Sequence, residues 1–272
     1  MIGSQRIFAI PEVDTPLWAS LPPGWLALLT GHSGSGAPVL AKQFAHAGVG
    51  DVPVLFYTTY ERTNDVTKAF SDFGWDPAAI TVVNLADEYY QRVLVHGLDV
   101  ARAREVGLSL SDLVDPHPGD RRLGSFSLTN RMLSDLAAID SPFRLVVDSI
   151  DFFFEVLEPH DVITVARQIR HRCQTVGGQA LLTAHSIAHE RSIFGLLQDL
   201  ADVVFDLKAE PRLDHYEHTL YLEKVANRPS LTHIWKAVMG EGGWHVEPRT
   251  PSGSERTGAA VSRPPSDGPG VS

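Results

Sequence analysis

Residues 24–48, GWLALLTGHSGSGAPVLAKQFAHAG, limit what this chain can fold into more than any other stretch. Trp25 to Leu29 form an apolar run suited to a buried strand. The run empties into Gly31-His32-Ser33-Gly34-Ser35-Gly36, after which Leu40, Phe44 and Ala47 recur at helical spacing. Strand, glycine turn and helix in that order are the setting of the phosphate-binding pattern G-x-x-x-x-G-K-[ST]. Gly31 and Gly36 stand in its register, but Ala37 and Pro38 occupy the positions of the lysine and the hydroxyl residue.

Each absent group has a physical task. Loop amides and a helix N-terminus attract phosphate, because unpaired N–H donors and the helix dipole favour anions. Lysine adds a full charge on the β/γ-phosphates, and the hydroxyl holds Mg²⁺. Ala37 removes the charge, and Pro38 removes both the hydroxyl and one backbone N–H. With a charge-assisted hydrogen bond contributing about 1.5–3 kcal/mol, the combined loss is about two to four powers of ten in affinity. Lys42, five residues past Ala37, lies more than a helical turn along and is not expected to substitute. Gly31, His32, Ser33, Gly34, Ser35, Gly36, Ala37 and Pro38 are the candidate nucleotide-contacting set; the alternative is a glycine turn without a ligand.

The remaining chain keeps alternating. Val54 to Thr59 is a β-branched and aromatic strand ending at Tyr60-Glu61-Arg62, and Val66, Ala69, Phe70 and Phe73 mark an amphipathic helix stopped at Gly74-Trp75-Asp76-Pro77. Ile80 to Asn84 is a third strand. Residues 86–127 are read as a helix from Glu88 to Glu105 and a loop through Asp115–Asp120, with Arg92, Arg102, Arg104, Arg121 and Arg122 on a solvated face or a ligand loop. A helix bearing Leu128, Met132, Leu133 and Leu136 precedes Phe143–Ser149, an apolar strand ending in Asp148. A carboxylate there is the form of the element that orients Mg²⁺ or its water; otherwise Asp148 caps the turn through Asp151.

A long helix carries Val162, Val165, Ala166, Ile169, Cys173 and Val176 on one face, and the strand Gln179–Ala184 runs into His185. A helix near Ser192–Leu200, a strand over Asp202–Leu207 and two antiparallel edge strands, His218–Lys224 and Leu231–Val238, follow. The pattern predicts an α/β fold: a mostly parallel sheet with helices on both faces and a small antiparallel C-terminal extension. Residues 1–23 form an opening segment, 24–247 the domain, and 248–272 a Pro/Gly/Ser-rich tail expected to be disordered.

Composition narrows the function. A net charge of −10 disfavours a nucleic-acid surface, which needs clustered Lys and Arg. A single cysteine, Cys173, excludes an internal disulfide framework and fits a reducing compartment. Neither a signal peptide nor an 18-residue apolar run is seen, so cytoplasm is the expected location, without membrane contact. His185 and His189 lie four apart beside Glu190 but lack a third ligand at paired spacing, so no metal site is expected; His185 can instead be a polar group at the phosphate end of the sheet. Gly31 to Gly36 does not contain the G-x-S-x-G of a hydrolase nucleophile.

From about Pro11 to Pro248 the chain resembles the KaiC-like branch of the RecA superfamily, a group common in archaea. The likeness rests on Glu12-Val13-Asp14, Leu21-Pro22-Pro23-Gly24-Trp25, Val54 to Glu61, Phe73-Gly74-Trp75-Asp76, Val146-Val147-Asp148-Ser149, Leu181-Leu182-Thr183 and Leu200-Ala201-Asp202-Val203-Val204. It implies a RecA-like P-loop core that binds ATP or ADP, with Mg²⁺ only alongside the nucleotide, and that assembles as a ring or smaller homo-oligomer. By the same resemblance Glu61 is the carboxylate that activates water, with Tyr60 where an acidic neighbour is common. Asp148 becomes the Walker B aspartate. Lys224 becomes the lysine reaching a neighbour's γ-phosphate, with Ala226 where arginine belongs and Arg228 out of register.

Ala37, Pro38 and Ala226 each remove phosphate or transition-state stabilisation. The sequence therefore reads as a KaiC-like protein that has lost ATP hydrolysis and acts as a regulatory or assembly protein, binding itself or another protein. The alternative is a slow ATPase using Glu61 and Asp148, its missing charge supplied by Lys42, a neighbour's Lys224 or the arginines of 86–127. A nucleic-acid-binding relative is the third reading, disfavoured by the acidity.

Overall fold

The computed structural model describes residues 6–91, 121–185 and 191–247. In chain order the strands are β1 (Trp25–Gly31), β2 (Val54–Thr58), β3 (Ile80–Asn84), β4 (Arg144–Asp148), β5 (Gln179–His185), β6 (Val203–Pro211), β7 (Tyr216–Val225), β8 (His233–Gly240) and β9 (Gly243–Glu247). They make one nine-stranded sheet ordered β3-β2-β4-β5-β1-β6-β7-β8-β9. β3 through β6 in that order run parallel, and β6 to β9 are antiparallel.

β1 is buried along its whole length because parallel strands pair on both edges and carry helices on both faces. Its side chains alternate between two cores. Trp25, Ala27 and Leu29 enter the core shared with α1 (Pro11–Trp18), α2 (Ala37–His46) and α3 (Thr63–Asp72). Leu26 and Leu28 enter the opposite core, under α4 (Arg121–Ala137), α5 (Asp151–Val156), α6 (Pro159–Val176) and α7 (Arg191–Leu200).

The opening segment contributes to the first core, with Ile7, Phe8, Ile10, Val13 and Leu17 buried. Buried Asp14 orders it by accepting the Phe8 N–H at 2.9 Å and the Ile10 N–H at 3.1 Å. The Phe-Gly-Trp-Asp string closes α3: Phe73 stacks on Trp75 at 4.8 Å, and Asp76 accepts the Ala78 N–H at 2.9 Å. In the Ala-Asp-Val-Val string, Asp202 ties three elements together. It accepts the Leu26 N–H at 3.0 Å from β1 and both Nε (3.1 Å) and an Nη (2.6 Å) of Arg170 from α6.

Several boundaries differ from the sequence reading. α4 includes Arg121 and Arg122, which are helical rather than in a loop. Helix is seen over residues 85–91, while the remainder of the expected Glu88–Glu105 helix and the loop through Asp120 lie outside the described residues, as does 248–272. His185 ends β5 instead of following it. β8 starts at His233 rather than Leu231, and the extension carries a further strand, β9, that the sequence reading passed over.

Candidate functional site

The glycine loop leaves β1 at the centre of the sheet and opens α2. Gly36 caps the helix at φ +82°, a left-handed conformation that a β-carbon opposes by about 1–2 kcal/mol. Its carbonyl receives the Val39 and Leu40 N–H groups at 3.1 and 3.3 Å and the indole Nε1–H of Trp244 at 3.1 Å. A β-carbon on Gly36 would stand 2.4 Å from Cζ2 of that indole. Trp244 is locked in turn by Gln43 of α2, whose amide accepts the Trp244 N–H at 2.7 Å and donates to its carbonyl at 2.8 Å.

Two histidines complete the seal. The His218 ring from β7 meets Trp244 at 5.0 Å; burial, foremost, holds its pKa below the usual value, with the Gly34 backbone opposing. His32 contacts the Ser33 carbonyl through Nδ1 at 2.8 Å, and its Nε2 lies 3.1 Å from the Ala209 N–H of β6. Nε2 also lies 3.0 Å from the Ala209 carbonyl, so the ring bridges the loop to β6 in either tautomer. The C-terminal hairpin thus packs directly on the loop. Sequence reasoning missed Gln43 and Trp244, although the alternation of Trp244 and Val246 after Gly242-Gly243 was a strand signal.

The first turn of α2 bears no charge or hydroxyl. Ala37 is buried, its N–H facing Ser35 Oγ at 3.4 Å, and Pro38 is exposed. Ser35 itself is buried under Gly31, and Ser33 and Gly34 are exposed.

The carboxylates meet at the C-terminal ends of adjacent strands, β2 and β4. Thr58 Oγ1 accepts the Glu61 N–H at 3.1 Å, and Asn84 Nδ2 donates to the Glu61 carbonyl at 2.9 Å, which fixes the backbone after β2. Asp148 accepts Thr183 Oγ1–H at 2.6 Å. Burial raises its pKa most; nearby Lys42 and the Thr183 bond oppose that rise, and Glu61 and Asp151 add to it. The turn cap belongs to Ser149 and Asp151 instead: Ser149 Oγ bonds Asp151 Oδ2 at 2.6 Å and receives the Asp151 N–H at 3.1 Å.

Lys42 is the cation at this site. Its Nζ lies 2.6 Å from Glu61 Oε1, with the lysine side chain 3% and the glutamate side chain 35% exposed. Counted from Ala37 the residue is misplaced, but counted from Pro38 it is four residues on, on the same helix face. Helical side chains lean toward the N-terminus, which carries the ammonium back up that face.

Other candidates fall elsewhere. Lys224 Nζ donates to the Gln198 and Asp199 carbonyls at 2.7 and 2.9 Å, neutralising the C-terminus of α7. Arg228 is exposed in the turn after β7. The His185 N–H donates to Asp151, while His189 and Glu190 lie outside the described residues. Tyr60 is exposed, with its hydroxyl 3.3 Å from Glu155 Oε1. Among the described residues no helix is long and apolar enough to cross a membrane.

A central parallel strand, a glycine loop, a helix and carboxylates at neighbouring strand ends define a RecA-like P-loop ATPase fold. The chain belongs to the KaiC ATPase family, whose model matches residues 8–246. It is 25% identical to the circadian clock oscillator protein KaiC of Rippkaea orientalis over 76% of this chain and 37% of that protein. It is 27% identical to a UPF0273 protein of Methanopyrus kandleri over 68% of this chain and 69% of that one. A crystal structure of a KaiC-like protein from Pyrococcus horikoshii OT3 superposes with a TM-score of 0.62 at 20% identity, covering 90% of this chain and 100% of that one. The chain spans less than half the length of the cyanobacterial clock proteins it matches.

Proposed function

We propose that this chain is a KaiC-family protein without ATP hydrolysis, acting as a regulatory or assembly protein through contacts with its own copies or another protein. The observation that supports this most is the first turn of α2, where Ala37 and Pro38 leave the helix end with no ammonium for a β/γ-phosphate and no hydroxyl for a metal. The C-terminal hairpin also packs on the loop, through Trp244 on the Gly36 carbonyl and the His32 ring on Ala209. The residues present do not fit a Mg²⁺–nucleoside triphosphate, and no reaction step is assigned to one.

Titration calorimetry with Mg-ATP and Mg-ADP tests the reading, and no heat is expected up to millimolar nucleotide. Micromolar binding with phosphate release that disappears in Glu61→Gln would overturn it and establish the slow ATPase. The retained pair of Glu61 and Asp148 is the feature favouring that second reading.

A further inference from the structure

We propose that Lys42 is the resident cation of this site, standing where a divalent metal would be shared by Glu61 and Asp148, and that it closes the site to Mg²⁺. The inference rests on the reading of an inactive ATPase and states what fills the metal's place.

Three observations carry it. The first is placement. Lys42 lies four residues past Pro38 on α2, and its buried side chain carries the ammonium to Glu61, just beyond the end of β2. The second is contact. The ammonium is 2.6 Å from Glu61 Oε1, and it is the strongest charge opposing the effect of burial on Asp148. It also lies 5.7 Å from the centroid of the Phe56 ring, which walls the site on the β2 side.

The third is the donor set. Mg²⁺ demands a near-octahedral shell of oxygens at about 2.0–2.1 Å. Pro38 offers none, Glu61 is already bonded to an ammonium, and one Asp148 oxygen is bonded to Thr183. Among the described residues no group of three His, Cys, Asp or Glu side chains is placed to hold a metal. A divalent ion beside Glu61 would therefore face a buried like charge with too few oxygens to displace it.

An ordinary structural ion pair predicts only lost stability when Lys42 is replaced. A resident cation predicts a gain: with the ammonium gone, two converging carboxylates are left for a divalent ion. The probe is Mn²⁺ alone, without nucleotide, followed by electron paramagnetic resonance and calorimetry. Wild type is expected to bind no Mn²⁺ at this site up to millimolar concentration. Lys42→Met, which keeps the stem and removes the charge, should bind it at least about tenfold more tightly, and Glu61→Gln or Asp148→Asn in that background should abolish the gain.

Lys42→Gln is the second variant should Lys42→Met not fold. Wild-type uptake of one Mn²⁺ that is lost in Asp148→Asn overturns the proposal, as does a folded Lys42→Met or Lys42→Gln with no gain. The wild-type measurement decides by itself if neither variant folds. Because nucleotide is absent, the result is separate from hydrolysis: phosphate release without Mn²⁺ uptake would refute the inactive reading alone, and Mn²⁺ uptake without phosphate release would refute the resident cation alone.

Discussion

Gly36 separates a loop kept for phosphate from a loop kept for packing. In a working phosphate cradle a glycine lets the backbone approach the anion, and Gly→Ala lowers nucleotide affinity. Here the β-carbon would enter the Trp244 indole at 2.4 Å, and Trp244 is only 4% exposed, with its backbone clamped by Gln43, so the ring cannot swing aside. Gly36→Ala is expected to cost about 1–2 kcal/mol for the left-handed backbone and about 1–3 kcal/mol for overpacking. At about 2–4 °C per kcal/mol for a domain of this size, melting falls by about 4–20 °C. Trp244→Ala should cost about 3–5 kcal/mol. Only the overpacking part vanishes when both changes are combined, so the double variant should be about 1–3 kcal/mol more stable than the sum of the singles. Urea unfolding of the four proteins measures this. Additivity within about 0.5 kcal/mol would show that the indole does not press on the loop, and the packing argument would fail.

Two further outcomes follow from the same contacts. Asp202→Asn removes the charge that holds the Leu26 N–H and Arg170; with Arg170 one-third exposed, the cost should be about 1–3 kcal/mol, read as a lower urea midpoint at unchanged m-value. Burial, with Arg6 adding to it, holds the pKa of His46 low, and its ring stacks on Trp75 at 5.2 Å with Nδ1 unpartnered. Below about pH 6.5 the unfolded chain takes up a proton that the folded chain resists, so stability should fall on acidification, by at most about 1.4 kcal/mol per pH unit for this group. His46→Phe should flatten the slope just below about pH 6.5; an unchanged slope would exclude His46 as its source.

Periodicity made most of the sheet legible. Apolar runs such as Leu26–Leu29 and Leu145–Val147 need burial on both faces, which only a parallel sheet between helices supplies. The ends of the elements were less legible because hydrogen bonds outside the local pattern set them, as when the Asp202 N–H donates to Leu26 O at 2.8 Å and the Ala226 N–H to Asp202 O at 2.7 Å. The glycine loop and Asp148 could be read from residue types, and Glu61 from the resemblance to the KaiC-like family. The occupants of the space around them could not. Trp244 lies 208 residues from Gly36, and no local rule joins the two. The pairing of Lys42 with Glu61 was not legible either, because the two residues lie on different elements and meet only in the folded chain.

Glu61 and Asp148 need no catalytic role to explain their stability in this chain. Two carboxylates converging at adjacent strand ends repel each other, and in a working site a divalent ion offsets that repulsion. Where no such ion is bound, either one carboxylate is protonated or a cation must be supplied. Lys42 supplies it in cis, and the lysine, being 3% exposed, is itself tolerable only because a carboxylate lies 2.6 Å away. Each charge is therefore the condition for the other. Removing Lys42 leaves crowded anions, and removing Glu61 leaves an ammonium with only buried Asp148 to compensate it. With both carboxylates ionised, one ammonium leaves the three groups with a net charge of −1, which the raised pKa of Asp148 lessens, and the Lys42–Glu61 pair fastens α2 to the end of β2.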